Sequence, residues 1–231
     1  AVCNLGSINL SRFVTPQLDF DFQKLETVVQ TSIEFLDRVV DRNFYPTPES
    51  KASNEQWRPI GLGIMGLQDV FFKMRLPFAG PQAKALSAKI SETIYYHALK
   101  TSLTLSRKHG AFPNFTQSRY ADGNLQVHLA REYQAQNVET HFDWDRLSKD
   151  IQSQGIRNSL LIAIAPTATI ASIQGVYESI EPQIANVFKR ETLSGEFLQV
   201  NRYLISDLKR LKLWTSTMRD RIIQHDGSIQ N

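Results

Sequence analysis

Residues 159 to 165 read SLLIAIA, an uncharged apolar run that stops at Pro166. A continuous run of this length, ended by proline, is expected to form a strand buried on both faces of a sheet. The next residues, Pro166-Thr167-Ala168-Thr169-Ile170-Ala171-Ser172, are small or hydroxyl-bearing, with Ile170 and Ile173 at helical spacing. That pattern predicts a helix N-terminus at the carboxyl end of a sheet. Backbone N–H groups of a first turn lack internal partners, and the helix dipole adds about half a positive charge. Such a terminus can hold a phosphate without any lysine, and the hydroxyls of Thr167 and Thr169 are candidate further donors. From spacing alone the plainer reading, in which one of these threonines only caps a helix, is the stronger.

Working outward, Val2 to Leu10 alternates loosely and reads as a strand. From Asp21 the apolar positions Phe22, Leu25, Val29, Ile33, Leu36 and Val40 mark an amphipathic helix to about Arg42, closed off by Pro46 and Pro48. Phe44 to Trp57, polar and carrying both prolines, reads as a loop. A short strand at Arg58 to Leu62 is expected to lead through glycines into a helix at Leu67 to Met74. Pro81 opens the longest helix, with Leu86, Ile90, Ile94, His97, Thr101 and Leu105 on one face and a stop at His109-Gly110. Ala111 to Asn124 reads as irregular, followed by a weakly helical region that includes Asp143 to Gln154. Val187 to Val200 is expected to be a hairpin turning at Ser194-Gly195, with helices at Tyr203 to Leu213 and near Met218 to His225. Helices alternating with short apolar strands predict an α/β fold.

The 231 residues are 42% hydrophobic, enough for a sizeable core. Lys+Arg 26 against Asp+Glu 23 leaves +3, too slight for a nucleic-acid partner or a polybasic membrane contact. No apolar run approaches the ~20 residues of a bilayer span, and no signal-peptide pattern opens the chain, so a cytoplasmic location is expected. Cys3 stands alone, which excludes an internal disulfide and a cysteine-rich zinc site; the five histidines are widely separated, and no metal site is expected. The chain opens at Ala1 inside a strand-like run, without an initiator Met, and is expected to be a piece of something longer.

Gly61-Leu62-Gly63-Ile64-Met65-Gly66 matches the dinucleotide fingerprint, which keeps an NAD-type oxidoreductase domain as an alternative. Its context is poor: the preceding strand is short and interrupted by Pro59, and the position about 20 residues on falls in the helix after Pro81. A tight strand-to-helix turn with close packing accounts for the glycines more simply. A non-catalytic helical interaction module is the other alternative.

Four blocks in order, AVCNLGSINL (1–10), RPIGLGIMGL (58–67), RNSLLIAIAPTATIASIQGVYESIEP (157–182) and NVFKRETLSGEFLQVN (186–201), resemble the large, catalytic subunit of ribonucleotide reductase. The resemblance covers nearly the whole chain. It implies a ten-stranded α/β barrel, of which residues 1–231 are a single segment supplying later strands and helices, incomplete in isolation. It implies reduction of ribonucleoside diphosphates by thiyl-radical chemistry. Cys3 takes the place of one member of the redox-active pair. Pro166, Thr167, Ala168, Thr169 and Ile170 match the loop that receives the substrate diphosphate on backbone amides, and Gly61, Gly63 and Gly66 become barrel-turn glycines. The family's radical cysteine and the partner of Cys3 precede the equivalent of Ala1, and its relay tyrosines and shuttle cysteines follow Asn231. Isolated, the chain is therefore expected to be inactive. Tyr95-Tyr96 does not match the relay position and is expected to pack in the core; Asn4 and Ser7 beside Cys3 are assigned no role. Ala168, where adenosylcobalamin-dependent relatives more often carry Gly, favours class I, whose radical comes from a separate metal-containing small subunit. No cofactor is then expected on this segment, and ATP and other nucleotide effectors belong to regions outside it. The implied partners are the substrate diphosphate, the remainder of the large subunit, the small subunit and a second large subunit.

Overall fold

Asp21 accepts a hydrogen bond from the Lys24 amide and starts α1 (Phe22–Arg42) in the computed structural model, which describes residues 1–133, 140–192 and 195–230. The helix buries Leu25, Val29, Ile33, Leu36 and Val40, the row expected from the spacing. One buried residue breaks that row: Asp37. The stretch expected to be a loop instead carries α2 (Pro48–Trp57). Pro48 stands in its first turn, where a missing N–H costs nothing, and Thr47 and Ser50 form a capping box. The polar composition that suggested a loop belongs to a helix lying on the surface, with Asn54 its one buried residue.

β1 (Leu5–Asn9) pairs in parallel with β2 (Gly61–Met65), from Leu5 opposite Gly61 to Asn9 opposite Met65. The observed β1 is shorter than the expected Val2–Leu10, and β2 begins three residues later than expected, so Gly61 and Gly63 lie within the strand instead of forming the turn after it. Gly66 makes that turn alone, at φ +75, and α3 (Leu67–Met74) follows where it was expected. α4 (Pro81–His109) packs chiefly on α1. It buries a wider surface than the single expected face, adding Ala98, Leu99, Ser102, Leu103 and Ser106, because a later helix also packs on it. That helix is α6 (Trp144–Gln154), capped by Asp143; α5 (Gln126–Tyr133) precedes it.

The run SLLIAIA corrects the sequence reading. It follows β2 in parallel through one bridge, Leu62 to Ile162, with the Ile60 and Leu62 amides donating to the carbonyls of Leu160 and Leu161 and the Ala163 amide donating to Leu62. Leu161 is buried, yet Leu160 is 63% and Ile164 49% exposed. Among the described residues the far edge of this segment pairs with no strand. It is an open edge, and β2, buried at all five positions, is the centre of the layer. The result is a helix-rich α/β fold whose sheet does not close, in keeping with an incomplete barrel.

Beneath the amino end of this layer lies a buried polar knot. Arg58, held at φ 45, donates to both Asp37 and Asp41 on α1, at 2.8 Å and 2.6 Å for the shortest bonds. Asn158 donates to Asp37 at 2.9 Å and to the Arg58 carbonyl at 3.2 Å, and it accepts from Ser102 of α4 at 2.8 Å. Four chain segments are thus fixed at one point.

Residues 1–180 form one compact unit and residues 181–231 another. In the second, β3 (Val187–Thr192) and β4 (Gly195–Val200) form the expected antiparallel hairpin; Ser194 of its expected turn lies outside the described residues. α8 (Arg202–Arg210) is capped by Asn201 and α9 (Ser216–Gln224) by Thr215.

Candidate functional site

At its carboxyl end the strand layer runs into the segment 166–180. The short helix α7 (Ala168–Gln174) starts at Thr167, which occupies the left-handed region at φ 57 and makes no side-chain cap to its own helix. A β-branched residue there is strained and has to be held in place by its surroundings. Thr167 is 8% exposed, and its hydroxyl oxygen accepts the Ser179 amide at 2.9 Å. The expectation that a threonine caps this helix is therefore corrected: Thr167 holds the returning loop instead. The return is pinned again where the Tyr177 amide donates to the buried carboxylate of Asp69 on α3 at 2.7 Å, and the Gly66 amide donates to the Tyr177 carbonyl at 2.9 Å. Asn9, the last residue of β1, reaches Gln174 at 3.4 Å.

Ala168, Thr169 and Ile170 are exposed on the first turn of α7, whose amides have no carbonyl four residues back within the helix. The segment that holds the loop expected to receive an anion is thus tied to Asn9 of β1, to Gly66 in the turn after β2 and to Asp69 of α3. With only seven residues α7 carries a small dipole.

Cys3 lies at the other end of the layer, two residues before β1. Its thiol is free and exposed, and it lines a cavity of about 760 Å³ together with Trp57, Tyr95, Tyr120, Leu160 and Ala163. None of Pro166 to Ile170 lines this cavity, so the fold does not bring the thiol and the loop into one pocket; they flank the same three-segment layer from its amino and carboxyl ends. Tyr95 and Tyr96 pack against Trp144 and Phe142, with ring centroids 5.6 and 4.2 Å apart. Burial pushes the phenols of Tyr95 and Tyr120 above their ordinary value.

Gly61 and Gly63 of the glycine motif are built into the buried strand β2, and Gly66 into the turn after it. A Cβ at Gly61 would stand 2.7 Å from the Ala163 Cβ, and one at Gly63 would lie on the Ala163 carbonyl oxygen. Both glycines therefore let the neighbouring segment approach inside a buried strand. Among the described residues no group of three or more His, Cys, Asp or Glu is placed to hold a metal ion. No described helix is long and apolar enough to cross a membrane.

The family described as "Ribonucleotide reductase, barrel domain" matches residues 1–231. The chain belongs to that family. It is 44% identical over 231 residues to a ribonucleoside-diphosphate reductase large subunit of Caenorhabditis elegans, covering 100% of this chain and 29% of that protein. The Danio rerio large subunit is 42% identical over 230 residues, covering 100% and 28%, and that of Variola virus 43% over 233 residues, covering 100% and 29%. The chain thus spans less than a third of the length of these relatives. Two buried polar contacts were not named from the sequence: Asp69, which accepts the Tyr177 amide, and Asn54, which holds the Val2 backbone next to Cys3. An acid in the first turn of α3 and an asparagine in a polar helix resemble ordinary capping and surface residues, so local pattern carried no signal for either.

Proposed function

We propose that this chain is part of the catalytic subunit of a class I enzyme that reduces ribonucleoside diphosphates to deoxyribonucleoside diphosphates. In this reading Cys3 is one of two thiols that supply the reducing electrons, and residues 166–170 receive the substrate diphosphate. A thiyl radical takes the 3′ hydrogen, the 2′-hydroxyl leaves as water, two thiols supply two electrons and two protons and become one disulfide, and the 3′ hydrogen returns to the sugar so that the thiyl radical is regenerated. Cys3 contributes one sulfur; its partner and the radical cysteine come from the remainder of the large subunit. The radical itself originates in a separate metal-containing small subunit, and large subunits pair as a homodimer in the cytoplasm with nucleotide effectors bound elsewhere.

One observation carries the reading within the family: an exposed thiol opens into a cavity at one end of the strand layer whose other end presents the exposed first turn of a rigidly held loop.

The test uses the complete subunit with its small partner. Thr169→Glu adds an anion where a helix tolerates one and a diphosphate does not. The KM for the diphosphate substrate is expected to rise roughly hundredfold, since like charges brought together cost several kcal/mol. Cys3→Ser is expected to abolish sustained turnover and leave substrate binding within twofold, a margin under about 0.5 kcal/mol. An unchanged KM in the first variant would remove the loop from the substrate site. Continued turnover in the second would remove Cys3 from the chemistry.

A further inference from the structure

α2 is a surface helix with a single buried residue, and that residue is not apolar. Asn54 is fully enclosed at 0% exposure, and its side chain reaches 52 positions back in sequence. Its Oδ1 accepts the Val2 amide at 2.8 Å and its Nδ2 donates to the Val2 carbonyl at 3.0 Å. Both backbone groups of Val2 are thus taken by one side chain, the pairing a neighbouring strand would otherwise give. On the other side of Cys3, the Asn4 carbonyl accepts the Gly61 amide at 2.9 Å and the Asn4 Oδ1 accepts Asn43, the residue that ends α1, at 3.0 Å. Cys3 is therefore bracketed: both of its chain neighbours are fixed, while its own side chain lies exposed in the cavity. With the backbone held on both sides, the direction of the Cα–Cβ bond is set and the sulfur samples only the staggered positions about one torsion.

From this we infer that Asn54 is a positioning residue for the reaction: it aims the Cys3 thiol by holding Val2, and Asn43 assists from the other side through Asn4. The inference rests on the proposed redox role of Cys3. It explains why α2 carries an asparagine in its only buried position. An apolar side chain there would fill the space and leave both Val2 backbone groups without a partner, whereas a histidine or glutamine would not present donor and acceptor at the same reach.

The experiment is done in the complete subunit with its small partner and a dithiol reductant. Asn54→Ala removes both bonds to Val2. The expected result is a kcat lower by roughly ten- to hundredfold, the range for a reacting group displaced by about 1 Å. The KM for the diphosphate and the number of substrate-binding sites per subunit are expected to stay within twofold of the parent, a margin under about 0.5 kcal/mol. Hydrogen exchange at Val2 and Cys3 should accelerate, with no change at Tyr177 and Ser179. A role in folding alone would lower kcat only in proportion to the binding sites lost, and that result overturns the inference. Should Asn54→Ala fail to fold, Asn43→Ala, made at an exposed position, gives the smaller change of the same kind; unaltered kcat and exchange in that variant overturn it equally. Failure of the underlying reading looks different: a Cys3→Ser subunit that still turns over refutes the redox role, while faster exchange at Val2 and Cys3 in Asn54→Ala would still report the bracket.

Discussion

The two ends of the strand layer are preorganised by opposite means. At the amino end neutral side-chain amides hold the Val2 backbone and the Asn4 side chain, and what is left exposed is a side chain, the Cys3 thiol. At the carboxyl end a strained threonine and a buried carboxylate hold residues 166–180, and what is left exposed is a backbone turn. The difference matches the chemistry each end would perform. A thiol has to move toward and away from a partner, so only its neighbours are fixed. Oxyanion binding by N–H groups needs the backbone itself immobile, so strain is tolerated there.

The comparison is broken most strongly at Arg58. Arg58→Leu leaves Asp37, 4% exposed, without its main cationic partner, and loss of one member of a buried pair costs about 3–5 kcal/mol. Chemical denaturation of the complete subunit should report that loss, and hydrogen exchange should accelerate first around residues 2–4 and 58–60, ahead of residues 166–180. Simultaneous acceleration at both ends would mean that they are one cooperative unit. A smaller and opposite effect is expected of Thr167→Val, which keeps the shape but removes the acceptor for the enclosed Ser179 amide, at about 1–3 kcal/mol. Here diphosphate affinity should fall while Cys3 alkylation proceeds at its parent rate.

The smallest effect is at Asp41, where the hydrogen bond from Arg58 holds a half-exposed carboxyl below its ordinary value of 3.8. A depressed folded-state value stabilises the fold above the unfolded value, and that contribution is lost as pH falls through the folded one. Asp41→Asn should therefore cost about 0.2–1 kcal/mol near neutral pH, discounted for solvent exposure, and should flatten the decline in stability below roughly pH 4. Denaturation midpoints measured between pH 3 and 7 check this; an equally steep acid decline in the variant would assign the pH dependence to other groups.

Much of the fold was legible because periodic burial writes itself into local spacing. α1 appears where its apolar row predicted and α3 where the glycines were expected to lead into a helix, and Pro81 and Gly110 bracket α4 as expected. α2 was misread because a proline at a helix start and a proline in a loop look alike without knowledge of the Thr47 cap. SLLIAIA was misread because apolar continuity records the company a segment is built for, while Leu160 and Ile164 have no such company here. At the site, Cys3 and residues 166–170 could be named from motif, but not that they would occupy opposite ends of the layer. Their supports were invisible for a related reason: Asn54 bonds across 52 positions, Asp69 across 108 and Asn158 across 121, and no window of sequence contains both partners.

The layer is laid down in chain order, β1, then β2 at its side, then residues 160–163 at the side of β2. During synthesis each newly emerged segment would therefore find a finished edge waiting on the growing side of the layer. An advancing front of this kind adds segments on one side only, so mispairing between neighbouring nascent chains on the same messenger is confined to the outer edge of β1 and the newest segment.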